Sequence, residues 1–219
     1  MPRSSAAPVA DGSQRRASFQ RARSTETKRS LVQAAMALWR TNGYAKTTVA
    51  DICRAAGVSR ALFYFYFPAK EDILFEVGLL STRAAQKTVH QELAGGEYDV
   101  DAVIGKALRS LERSMARNPR DLIVETILEG YRQEQRILTG ERPDDTDADM
   151  FGELFATAKA DGKLVAHVDV GRLSRLAQMH VSEGVRHWAL GGFGKQSFAD
   201  VVAGDIAALI AGFNQQPRG

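Results

Sequence analysis

Apolar positions along this chain recur with the period of a helix, and short polar breaks separate one run from the next. From about Glu26 to Thr41, residues Leu31, Ala34, Ala35, Leu38 and Trp39 fall at i, i+3, i+4, i+7 and i+8. That is one stripe of an amphipathic helix, which Asn42 and Gly43 stop. The pattern returns with Ile73, Val77, Leu80 and Ala84 on a helix from about Lys70 to Leu93, ended by Gly95 and Gly96. Ile104, Leu108, Leu111 and Met115 mark the next, about Val100 to Arg117, before Asn118 and Pro119. Leu122, Ile123, Thr126, Ile127 and Tyr131 mark another, running to about Leu138. Thr139 to Asp147 is polar, with Gly140 and Pro143, and reads as a loop. Met150, Phe151, Leu154 and Phe155 then lie on a helix from about Asp147 to Ala160, which Gly162 ends. Leu173, Ala177, His180, Gly184 and Trp188 share a face between about Val170 and Leu190. Phe198, Val201, Val202, Ile206, Leu209, Ile210 and Phe213 stripe the last helix. The fold class that follows is all-α.

The stretch from Thr47 to Lys70, TTVADICRAAGVSRALFYFYFPAK, is patterned differently, as two short helices on either side of Gly57. A helix-turn-helix wants glycine at its turn, because the backbone there takes a conformation that a β-carbon resists. With Gly57 at the turn, the buried positions one, four and five back are Ala56, Cys53 and Ile52, and those one, six and nine on are Val58, Phe63 and Tyr66. Five of these six are apolar, and Tyr66 can bury its ring with its hydroxyl wet. Thr48 with Asp51 has the form of a capping box, and Ser59 is an N-cap for the second helix. The competing reading is a pair of ordinary amphipathic helices in an all-α core.

Charge separates the two. Residues 1–70 carry 12 Lys and Arg against Asp11, Glu26 and Asp51, a balance of +9, which leaves −6 for the rest of a chain whose net charge is +3. A basic head on an acidic body is the distribution expected of a polyanion binder. Residues 1–24, rich in Ser, Ala, Arg and Gln, read as a disordered basic arm. Its Arg15, Arg16, Arg21 and Arg23 suit phosphates or a minor groove, with a solvated tail or an organellar transit peptide as alternatives. At 219 residues the chain can bury a core without staples. The single Cys53 excludes an internal disulfide and suits a reducing compartment, so the expected location is the cytoplasm. No apolar run reaches the ~18 residues of a membrane span, and the start lacks the apolar core of a secretory signal.

From Thr27 to Leu74 the run TKRSLVQAAMALWRTNGYAKTTVADICRAAGVSRALFYFYFPAKEDIL resembles the N-terminal domain of the tetracycline-repressor (TetR) family of bacterial transcription regulators. The resemblance rests on Gly43 and Tyr44 after the first helix, the pair Thr47 and Thr48, the turn Ala56 to Ser59, Tyr64, and the exit Phe67, Pro68, Lys70, Glu71. It implies DNA-contacting roles for Thr47, Thr48, Arg60, Ala61, Tyr64, Phe65, Tyr66 and Lys70. The helix geometry itself turns Ser59, Arg60, Ala61, Tyr64 and Phe65 outward. Arg60 is the side chain suited to bidentate contact with guanine, Phe65 to a thymine methyl, and Thr47, Thr48, Tyr64 and Lys70 to phosphate. The family often has Gly where Ala61 stands and polar residues where Leu62 and Phe65 stand, so this recognition face is unusually apolar.

The expected organisation is a disordered arm (1–24), a helix-turn-helix DNA-binding domain (25–70) and a C-terminal helical ligand-binding and dimerisation domain (71–219). The resemblance further implies pairing of the last two helices with their copies in a homodimer, a near-palindromic double-stranded DNA operator, and a small-molecule effector pocket. Leu111, Met115, Ile127, Tyr131, Phe155 and His180, apolar surface with a few polar tips, are the candidate lining.

Other chemistry finds little support. Asp145, Asp147 and Asp149 alternate like part of a calcium loop, but Met150 stands where glycine is needed and no bidentate Glu follows, so helix N-terminal acids explain them better. His180, Glu183 and His187 lie at i, i+3 and i+7 without a third firm ligand. No catalytic constellation, cofactor site or metal site is expected. A repressor released by a small molecule is the leading reading. The rivals are a metal-dependent or small-molecule-processing helical enzyme with an incidental helix-turn-helix, and a ligand-independent DNA-binding protein.

Overall fold

The computed structural model describes residues 11–141 and 149–215, with side chains from residue 22 onward. Among the described residues it is entirely helical. The helices are α1 (Asp11–Asn42), α2 (Val49–Ala56), α3 (Arg60–Tyr66), α4 (Glu71–Ala94), α5 (Val100–Met115), α6 (Arg120–Leu138), α7 (Gly152–Ala160), α8 (Val170–Ala189) and α9 (Phe198–Gln215). The chain divides into two compact units, Met1–Lys70 and Glu71–Gly219.

In the first unit α1 begins at Asp11, so residues 11–24 of the expected disordered arm are helical; residues 1–10 lie outside the described part. Between Gly12 and Asn42 the chain has neither Gly nor Pro and is rich in Ala, Arg and Gln. These favour helix, and a helix nucleated on the Leu31 to Trp39 stripe extends upstream at little further cost. Composition without an apolar face was read as disorder, yet it also suits a solvated helix. Leu31, Val32, Ala35 and Trp39 of α1 are buried with Ile52 and Cys53 of α2, Phe63 of α3, and Phe67. The Trp39 ring meets Tyr44 edge-on at 5.3 Å. Phe67 ends α3 in an extended conformation, φ −136° and ψ 104°, as the residue before Pro68 must.

In the second unit α4 packs on α5, α6 and α7; α5 on α9; α6 and α7 on α8; and α8 on α9. The helix boundaries follow the apolar stripes and their Gly, Asn and Pro stops within a few residues, α7 excepted. Its expected start near Asp147, like Asp145 and Asp147 themselves, lies outside the described residues. The described helix begins at Gly152, with the Asp149 carboxylate accepting from the Phe151 and Gly152 amides at 3.0 and 2.9 Å. Glu112 of α5 starts α9 from a distance in sequence, accepting from the Ser197 hydroxyl and the Phe198 amide, each at 3.0 Å.

Gly184 sets the closest approach of α8 and α9. A β-carbon there would lie 2.5 Å from Val202 Cγ2 and 3.3 Å from the Phe198 ring. Both neighbours are buried, and a branched Val side chain cannot swing clear. Gly184→Ala is therefore expected to destabilise this unit by about 1–3 kcal/mol through overpacking, despite the higher helix propensity of alanine. A denaturant titration that leaves the midpoint unchanged or raises it would show that the α8–α9 crossing yields freely.

Candidate functional site

Gly57 takes φ 68° and ψ 31°, the left-handed conformation expected of the turn glycine. Its amide donates to Arg54 O at 3.3 Å and the Val58 amide to Cys53 O at 3.0 Å, which closes α2. Thr48 opens α2 with a complete capping box: it accepts from the Asp51 amide while the Asp51 carboxylate accepts from the Thr48 amide and hydroxyl at 3.1 and 2.6 Å. The hydrogen bond from the Thr48 hydroxyl, then that from its amide, holds the Asp51 carboxyl below the usual range. Ser59 caps α3 by accepting from the Leu62 amide at 3.1 Å. The Cys53 thiol sits inside the turn, 3.9 Å from Ser59 O. Burial pushes its pKa up, so it is a packing residue rather than a nucleophile.

Of the residues expected to be buried around the turn, Ile52, Cys53 and Phe63 are buried and Ala56, Val58 and Tyr66 half-buried. On the opposite side Ser59, Arg60 and Ala61 are exposed, with Tyr64 at 53% and Phe65 at 77% exposure. The Phe65 ring stands edge-on to Tyr66 at 5.1 Å. Leu62, at 37%, joins this surface. With Phe65 it makes the recognition face as apolar as the sequence reading expected.

Two expected contact residues are placed differently. Thr47 is buried at 2% exposure and its hydroxyl donates to Gly43 O at 2.8 Å, so of the threonine pair only Thr48 faces solvent. Lys70 turns back on the loop after α1. Its Nζ donates to Tyr44 O and Thr47 O at 3.1 Å each and lies 4.0 Å from the Tyr44 ring centroid. An ammonium has three donors, so one remains for an outside acceptor.

The second unit holds a half-open cavity of about 620 Å³ between α4, α5, α6 and α8. Leu111, Met115, Ile127 and Tyr131 line it as expected. Phe155 and His180 do not. Phe155 is fully buried in the core, its ring 5.8 Å from Phe151, and His180 is exposed. The register explains His180: the buried stripe of α8 runs Leu173, Ala177, Val181, Val185, so Val181 occupies the inward position and His180 is turned away. The cavity is also lined by Val77 and Leu79 of α4, and by Ser174, Gln178 and Met179 of α8. The available sequence signal was Ser174 and Gln178, polar residues one turn apart beside an apolar stripe.

His180 and His187 are exposed, and Glu183 accepts from both ends of the Arg186 guanidinium at 2.6 and 2.8 Å. That hydrogen bonding holds the Glu183 carboxyl below its ordinary pKa. Among the described residues, no three His, Cys, Asp or Glu side chains converge as metal ligands, and no helix is long and apolar enough to cross a membrane.

Comparison with known proteins agrees with this geometry. Residues 31–77 match the family model of "Bacterial regulatory proteins, tetR family". The chain is 40% identical over 47 residues to the HTH-type transcriptional regulator EthR of Mycolicibacterium smegmatis, a match covering 22% of each protein. It is 38% identical over 68 residues to the regulator HbdR of Aromatoleum sp., covering 31% of this chain and 28% of that one. The chain thus spans between a fifth and a third of the length of these curated relatives. The fold extends further. The crystal structure of Thermus thermophilus FadR, a TetR family transcriptional repressor in complex with lauroyl-CoA, superposes with a TM-score of 0.65, covering 88% of this chain and 96% of that one at 24% identity.

Proposed function

We propose that this chain, whose head is that of a tetR-family regulator, is a homodimeric repressor that reads a near-palindromic operator and leaves it when a small molecule fills the cavity of the second unit. The observation that carries the reading is the α3 surface: a capped, glycine-turned helix held by Phe63 and Phe67 beneath and presenting Arg60, Ala61, Tyr64 and Phe65 outward. A recognition helix in the major groove needs that arrangement.

The contacts divide by chemistry. Arg60 reads guanine O6 and N7, and Phe65 packs on a thymine methyl. Tyr64, Thr48 and the remaining Lys70 donor hold phosphates and set register. Thr47 and Lys70 also fix the loop before α2 and Ser59 caps α3, and together these aim the helix. Two heads related by the dimer axis reach half-sites about one helical turn, roughly 34–36 Å, or a multiple of it, apart. Pairing through α8 and α9 and residence in the cytoplasm complete the reading. Control follows from differential affinity: a ligand that fits the cavity better in the non-binding conformation shifts the population by that difference and no more.

Arg60→Ala is expected to cost about 1–3 kcal/mol of affinity at the cognate operator and to relax preference at one base pair of each half-site. Fluorescence anisotropy on operators substituted at each position measures this. Equal weakening on every sequence would make Arg60 a phosphate contact instead.

A further inference from the structure

We infer that the cavity selects an uncharged, hydroxyl-bearing apolar molecule over acids and amines of the same size. The inference deepens the effector reading above and rests on the cavity being a binding site. Its walls are largely aliphatic, with Leu111, Met115, Ile123, Ile127, Val181 and Val185 among them, and its volume of about 620 Å³ lies within the usual range for small-molecule sites.

Two atoms in this apolar lining lack hydrogen-bond partners: Ser174 Oγ, on a residue only 4% exposed, and Gln178 Oε1. A helical serine commonly returns its hydroxyl to the carbonyl one turn back, and this one does not. Residues 174 and 178 are one turn apart on α8 and so share a face. One atom can donate and accept, the other only accepts. A buried polar atom without a partner is costly, and a ligand group that satisfies both gains that difference on binding.

A hydroxyl does so, donating to Gln178 Oε1 and accepting from Ser174 Oγ. A carboxylate accepts from Ser174 but brings a second lone pair against Gln178 Oε1. An ammonium donates to Gln178 but must shed its hydration with no buried carboxylate on the lining. The ionised residues on the lining, Arg172, Arg175, Glu134 and Asp149, are all exposed and balance in sign, so they favour neither ion.

Titration calorimetry of the full-length protein with decanol, decanoate and decylamine tests this at constant chain length. Decanol is expected to bind about ten-fold or more tighter than either ion. Ser174→Ala and Gln178→Leu should each weaken decanol about 2- to 10-fold and narrow its lead over decanoate. Both variants are expected to fold, since each removes an unpartnered atom, and thermal melts check this. Decanoate or decylamine matching decanol, none of the three binding, or both folded variants retaining the wild-type ratio would overturn the inference. Operator release is measured separately: decanol binding with the stated preference but leaving DNA affinity unchanged supports the ligand class and refutes the regulatory reading.

Discussion

Replacing Phe63 with alanine should cost the head about 3–5 kcal/mol, the usual penalty for truncating a fully buried aromatic, and with it operator binding. Phe63 is the buried residue of α3, at 0% exposure, its ring 6.0 Å from Phe67 and 5.3 Å from Tyr64. Phe63 is the one fully buried anchor of α3, since Leu62, Tyr64 and Phe65 point outward and Tyr66 is only half-buried. Folded domains have only about 5–15 kcal/mol of net stability, and a head this small stands near the lower end. The expected result is a fall of more than about 10 °C in the melting of the head, followed by amide NMR signals of α1 to α3, together with loss of specific binding. Wild-type melting and wild-type operator affinity in the folded variant would mean that α3 is held by something other than its inner aromatic face.

The other large effect should come from salt. A head with a balance of +9 joined to a body of −6 concentrates cation on the unit proposed to meet the phosphates. Each phosphate neutralised releases condensed counterions, so a dimer making roughly six or more such contacts should lose about 10³-fold in operator affinity between 50 and 200 mM salt. The slope of log affinity against log salt gives the contact number directly. Arg60→Ala should leave that slope unchanged if it reads a base, whereas loss of a phosphate contact lowers it by about one. A total change below about ten-fold would show that the basic head does not lie along the backbone.

Much of this was legible before any coordinates. The α4 to α9 helices are legible because each has a long apolar run at helical spacing. In α4, however, the stripe slips by one residue after Val77, burying Leu79 and Ala85 while the expected Leu80 is exposed and Ala84 half-buried. The α2–α3 turn is marked by a glycine in the left-handed conformation. The failures have a common character: they concern where one side chain goes within a correctly placed element. His180 lies within one residue of the inward position, and Val181 takes it. Phe155 is apolar enough to line a cavity, but it packs against Phe151 as core. Thr47 carries a polar head suited to phosphate, yet the Gly43 carbonyl takes its hydroxyl, and Lys70 gives two of its three donors to the Tyr44 and Thr47 carbonyls. Local hydrogen-bond competition of this kind depends on backbone placement, which periodicity does not encode. The upstream extension of α1 was missed for the opposite reason: helix propensity needs no apolar face once a neighbouring stripe has nucleated the turn.

The most direct test of the central claim is a footprint of the purified full-length protein on genomic DNA fragments, with the intergenic region beside its own gene first among them. The expected result is a discrete protected site whose two halves are related by near-palindromic symmetry and spaced by about one helical turn or a multiple of it, with protection lost on substituting either half. Uniform, sequence-independent protection, or none at any fragment, would contradict it.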